Sequence, residues 1–285
     1  MPHTPVSARS LAPVWAVLLA YSALFGLLQK FVFTPLGVPE GLTLLACSVL
    51  ASAVPLAWNA LRPAPRPATD RQVPHPGTVG FLFCLALTGN LAVMVLTPLL
   101  ERLWKPLGLT ALPPPGGEAP TFWLVFYICL AGPVLEELVY RGVVLPRLQP
   151  YGARLAILLS ALCFGLMHHD LYQGLSAFWC GLVYGYAALH YGLGVSVALH
   201  IAGNSLAMVL PLLRDAGTAG AAATLLLVAV PVLVVLVGGI RRALRRRPVP
   251  PVTRGNVAGV LAQPLLWLLL AFETVYLLVA SFSRI

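Results

Sequence analysis

The sequence predicts an all-α protein, a polytopic membrane helical bundle of eight to nine transmembrane helices. Three observations carry this. Of 285 residues, 59% are hydrophobic and only 9% are charged, whereas a soluble domain carries about 25% charged residues. The mean hydropathy is +0.88. Apolar runs near the ~20 residues that cross a bilayer follow one another along almost the whole chain.

In order, residues 1–10 are a polar lead and the first span covers about 11–33. That run exceeds a signal-peptide core and lacks a cleavage site, so it reads as retained. A second span covers about 41–61, followed by a linker at 62–77 with Arg62, Arg66 and Arg71. The third span, about 78–100, precedes a loop at 101–120 that holds Glu101, Arg102, Lys105 and the run from Pro113 to Gly117. Spans at about 121–148, 153–169, 174–191, 194–213 and 219–240 follow. A basic loop then carries Arg241, Arg242, Arg245, Arg246, Arg247 and Arg254, ahead of a last apolar run at about 257–280. If that run does not cross, eight spans remain. The chain divides into N-terminal helices and linkers at 1–119, a core at 120–212 and C-terminal helices with the basic loop at 213–285.

Charge placement orients the bundle. With a cytoplasmic N-terminus and nine spans, the connections at 62–77, 147–154 and 241–254 fall in the cytoplasm. These hold the arginine pairs and clusters, as the positive-inside rule requires. The loop at 101–120, with Arg102 and Lys105, runs against the trend. The net charge of +9 is thus a topology signal. It points to the lipid bilayer and not to nucleic acid. The five cysteines, Cys47, Cys84, Cys129, Cys163 and Cys180, all sit in apolar runs without a C-x-x-C pair. They read as small core residues.

Against this background, Gly132-Pro-Val-Leu-Glu-Glu-Leu-Val-Tyr-Arg-Gly142 stands out. Acidic groups are costly in hydrocarbon and mark functional sites when they occur there. Glu137 and Arg141 are one helical turn apart and form an ion pair in this reading. Glu136, turned by roughly 100° from Glu137, is left for chemistry. Pro133, just upstream, removes a backbone donor and disturbs the preceding turn. Two further features lie on later spans: Phe164-Gly-Leu-Met-His168, followed by His169 and Asp170, and His200-Ile-Ala-Gly-Asn204. His200 and Asn204 share one helix face. Measured from the cytoplasmic span ends, Glu136 lies roughly 16 Å deep, His200 roughly 9 Å, Asn204 roughly 15 Å and His168 roughly 20 Å. All four can reach one intramembrane catalytic cavity.

The remaining polar groups get plainer readings. His169 and Asp170 end a helix at the membrane face. Asn90 and Gln173 join helices or meet headgroups, and Glu273 is paired or interfacial. Gly181 and Gly185 allow close helix packing. His3, His75 and His190 receive no role. His200 and Asn204 can equally be helix glue. As chemistry, a carboxylate and an imidazole suit activation of a water. His200 and Asn204 suit hydrogen bonding to an oxyanion.

Glu136-Glu137-x-x-x-Arg141, Phe164-x-x-x-His168 and His200-x-x-x-Asn204, in this order, resemble the three motifs of the CPBP family. These are the CAAX prenyl endopeptidase and bacteriocin-processing proteins, also called Abi proteases. The resemblance covers about residues 120–212. It implies a helical bundle with a cavity open to the cytoplasmic leaflet, and an intramembrane endopeptidase of the glutamic type or a metalloprotease. In the first case Glu136 is the water-activating base and His168 its partner. His200 and Asn204 bind the oxyanion, while Glu137 and Arg141 support the site. The implied substrate is a membrane-embedded protein or peptide, with a lipidated or C-terminal sorting tail. The implied location is the bacterial inner membrane. No cofactor is expected, since H-E-x-x-H is missing; if zinc binds, Glu136, His168 and His200 are its candidate ligands. A non-catalytic immunity or scaffold protein and a proton or solute transporter stay open as alternatives.

Overall fold

A computed structural model of the chain describes residues 11–64, 72–112, 120–244 and 254–284. Several residues used above for charge or composition lie outside these: Arg9, Arg66, Arg71, Pro113 to Gly117, and Arg245 to Arg247. The elements are α1 Ala12–Leu28, α2 Glu40–Leu61, α3 Pro76–Trp104, β1 Leu109–Thr110 and α4 Phe122–Tyr151. They continue with α5 Ala153–Leu166, α6 Leu171–Tyr191, α7 Leu193–Arg214, α8 Gly217–Leu244, α9 Arg254–Leu261, α10 Pro264–Ser281 and β2 Ser283–Arg284.

Among the described residues, seven helices are long and apolar enough to cross a bilayer: α1 to α4, α7, α8 and α10. Their outer faces present bare leucines and valines, such as Leu225, Leu233 and Leu236 on α8, as hydrocarbon contact demands. The protein is an integral membrane helical bundle. Two differences from the expected layout have local causes. The fifth span is short: α5 has 14 residues, about 20 Å of rise against a hydrocarbon core of about 30 Å. The chain leaves the helix before His168, and His169 takes the left-handed backbone at φ 52°. The last span starts at Pro264, because Gln263 is extended and Pro264 opens a new helix.

Short-range chemistry explains the other boundaries. Asp170 caps α6, accepting from Gln173 N at 2.7 Å. Thr121 caps α4, accepting from Leu124 N at 3.3 Å. Gly152 (φ 123°) and Gly192 (φ 102°) make the abrupt turns into α5 and α7, which a side chain would hinder. His75, given no role above, caps α3 by accepting from Gly77 N at 3.1 Å.

α5 and α6 pack back to back through small residues. A Cβ added to Gly165 would sit 2.8 Å from the Gly174 carbonyl oxygen, and one on Gly181 would meet Ala161 at 3.0 Å. Ends of distant helices also meet. Arg147 donates to the Arg62 carbonyl at the end of α2 and to Val143 O, with its guanidinium 4.1 Å from the Trp58 ring. Arg147 is buried, so it serves as a helix cap and not as the free loop charge counted above. Its contact still sets the ends of α2 and α4 on one face. At the opposite end of the chain order, Leu109 pairs with Arg284 and Thr110 with Ser283, antiparallel. Among the described residues, four helices long and apolar enough to cross, α4, α7, α8 and α10, lie between the two strands, together with α5 and α6. An even number is what two ends on one face require.

α4 alternates between α and π turns. The described residues contain three π segments: Gln29–Phe33, Tyr127–Ala131 and Leu138–Val144. Each ends two residues before a proline, Pro35, Pro133 or Pro146. Proline lacks an N–H and its ring crowds the carbonyl four residues back, and a widened turn relieves that crowding. The two π segments of α4 bracket Glu136 and Glu137.

Candidate active site

The adjacent carboxylates on α4 have opposite circumstances. Glu137 is fully buried and saturated. Its Oε1 lies 3.0 Å from Arg141 Nη1 and 3.1 Å from His200 Nδ1. Its Oε2 accepts from the Ser196 hydroxyl at 2.5 Å, a hydroxyl also 3.0 Å from the Tyr184 carbonyl oxygen. A carboxylate out of water needs such a set to stay charged. Arg141 also donates to the Gly181 carbonyl at 3.2 Å. Its guanidinium lies 4.4 Å from the Phe164 ring centre and 5.8 Å from that of Tyr184.

Glu136 has no such set. Its nearest ionisable partner across the site is His200 Nε2, at 3.7 Å from Oε2, beyond hydrogen-bond range. His200 thus stands between the two acids, with Nδ1–H donating to Glu137 and Nε2 turned toward Glu136. Tyr184 stacks on its ring at 4.9 Å, and Phe164 meets it edge-on at 5.7 Å.

The Phe164-x-x-x-His168 spacing has a physical reason. As α5 ends, backbone N–H groups go to Cys163 O, Gly165 O and Leu166 O. The Phe164 carbonyl is taken instead by His168 Nδ1 at 2.8 Å. That fixes the tautomer: Nδ1 carries hydrogen, and Nε2 of the neutral ring offers its lone pair. Phe164 also packs edge-on against His168 at 4.9 Å. One aromatic ring therefore touches Arg141, His168 and His200.

Asn204 is held by the proline effect on α4. Gly132 N–H is spent on Tyr127 O in the π turn, and Pro133 has no N–H. The Ile128 carbonyl is left without a donor four or five residues on. Asn204 Nδ2 supplies one at 2.9 Å. One amide hydrogen is committed there, and the second remains.

Glu136, His168, His200 and Asn204 all line one cavity of about 1060 Å³, together with Asn90 and Gln173. Glu137 and Arg141 stand behind its wall. Among the described residues, no group of three or more His, Cys, Asp or Glu side chains converges as a metal site. Glu136, His168 and His200, the candidate ligands if zinc binds, are not among such groups. Both Nδ1 atoms are engaged, by Phe164 O and by Glu137, which leaves the two Nε2 atoms.

Residues missed in the sequence are Ser196, Tyr184 and the partners of Glu273. Ser196 had a visible signal, since Ser196, His200 and Asn204 recur every four residues on α7. Glu273 pairs with His169 Nε2 at 2.7 Å, a partner 104 positions away that spacing does not reveal. His169 therefore does more than end a helix, whereas Asp170 is a cap.

Residues 118–206 match the family model described as type II CAAX prenyl endopeptidase Rce1-like. No curated protein and no solved structure matches the chain. Glu136, Glu137, Arg141, His168, His200 and Asn204 all lie within the matched segment. This segment is similar to the Rce1-like, CPBP-type family, which is one of CAAX prenyl endopeptidases.

Proposed function

We propose that the chain hydrolyses a peptide bond of a lipidated or C-terminal sorting-tail substrate, with water activated by Glu136 and His168. One observation carries this reading. Of two neighbouring buried acids, Glu137 is saturated by Arg141, His200 and Ser196, while Glu136 faces a cavity shared with two imidazoles. In the proposed reaction a water donates one hydrogen bond to Glu136 and another to His168 Nε2. Glu136 takes a proton as the oxygen attacks the scissile carbonyl. The oxyanion accepts hydrogen bonds from His200 Nε2–H and from the second Asn204 amide hydrogen. Because Nδ1–H is given to Glu137, this role requires a second hydrogen, on Nε2 of His200. Glu136 then passes its proton to the leaving amine, so that one water is consumed per bond cut.

The distribution of arginines supports a bacterial inner membrane setting with the N-terminus in the cytoplasm. The test is a comparison of new protein C-termini in membranes of cells carrying the wild type or Glu136→Ala. We expect a set of C-termini present with the wild type and lost with the variant. Identical sets from a variant made at normal level would overturn the hydrolase reading. They would favour a scaffold.

A further inference from the structure

We propose that Glu273, on α10 and outside the matched segment 118–206, is a positioning residue that aims His168 into the cavity by holding His169. Glu273 is an acid in an apolar helix, 3% exposed. Its carboxylate meets His169 Nε2 at 2.7 Å, a short charge-assisted distance. The His169 ring also lies 3.8 Å from that of Tyr276, one turn further along α10. Both His169 and Tyr276 line the cavity that holds Glu136 and His168.

The turn that carries His168 needs this hold. After Leu166 the chain is tied to α5 by backbone bonds of 3.3 Å from His168 N and 3.2 Å from His169 N, near the long end of the range. His169 then adopts φ 52°, where glycine is the default residue and a side chain carries a steric penalty. A histidine there is compensated by what its ring does, and the ring is clamped between Glu273 and Tyr276. His168 is the preceding residue in the same turn. Its ring direction therefore depends on two tethers, its own bond to Phe164 O and the clamp on its neighbour. The C-terminal helix becomes part of the site.

The proposal takes the importance of His168 from the hydrolase reading, and its test needs no turnover. Full-length protein in detergent micelles is treated with diethyl pyrocarbonate. The rate of His168 carbethoxylation is read by mass spectrometry, with thermal unfolding measured alongside. We expect Glu273→Ala and His169→Gly each to change the His168 rate at least threefold. Glu273→Gln, which keeps an acceptor for His169 Nε2–H, should stay within twofold of wild type. His169→Gly keeps the left-handed turn and removes only the clamp, so it separates backbone shape from side-chain hold. Should Glu273→Ala not fold, Glu273→Leu takes its place. Wild-type labelling of His168 in the folded Glu273 and His169 variants would overturn the proposal. Unchanged C-termini with Glu136→Ala would instead overturn the hydrolase reading and leave this one standing.

Discussion

Arg141→Met tests the electrostatics behind the cavity wall. The replacement keeps an apolar stem of similar length and removes the guanidinium. Glu137 would lose the cation at 3.0 Å and keep His200 and Ser196. Removing one partner of a buried ion pair costs about 3–5 kcal/mol. The Gly181 carbonyl, which accepts from Nη2 at 3.2 Å, would lose its side-chain donor and add up to about 1 kcal/mol. We expect a loss of about 3–6 kcal/mol, a large part of the stability of an ordinary domain and at least about a hundredfold in the folding equilibrium. The double variant Glu137→Gln/Arg141→Met removes the stranded charge and should recover about 2–3 kcal/mol of that loss. Unfolding by sodium dodecyl sulfate in mixed micelles, followed by the fluorescence of the six tryptophans, measures both. A single variant within about 1 kcal/mol of wild type would refute the reasoning, as would a double variant no more stable than the single.

Two other tests address the oxyanion side and the metal question. Asn204→Ala orphans the Ile128 carbonyl and should cost about 1–3 kcal/mol. Adding Pro133→Ala supplies a backbone N–H and should return at least half of it in the same unfolding assay, whereas a further loss would show that the carbonyl was not the cause. Exhaustive treatment with EDTA should leave production of the new C-termini within twofold, with less than one zinc per ten chains by elemental analysis. Stoichiometric zinc, with activity lost on removal and restored by its return, would overturn water activation by Glu136 and His168 alone.

How much of this was visible in the residues depended on the distance between partners. Glu137 and Arg141 are four apart, so their ion pair could be read directly, and with it the division of labour with Glu136. The same holds for Phe164 and His168, although the reason for the spacing, a helix-end carbonyl in need of a donor, emerges only when α5 is seen to stop at Leu166. Asn204 was legible as a polar residue on the His200 face but not as the partner of Ile128 O. That bond arises from a π turn, which no hydrophobic periodicity signals. Ser196 looked like any small residue in an apolar run until its four-residue step to His200 was noticed. Glu273 announced itself as a lone acid in a span, while its partner lay across four intervening described helices. The short α5 was hidden because the apolar run continues to Met167 after the helix has ended.

The widened turns of α4 store positional information in residue count. Wound at ordinary α pitch, the same number of residues between Phe126 and Pro133 would make a tighter turn. The acidic pair would then swing by about 100° relative to everything upstream, though each side chain named in the cavity stayed in the chain. Spacing along this rod is thus as much a determinant of the site as the identity of its acids. Length changes within it are a sharper constraint than most substitutions.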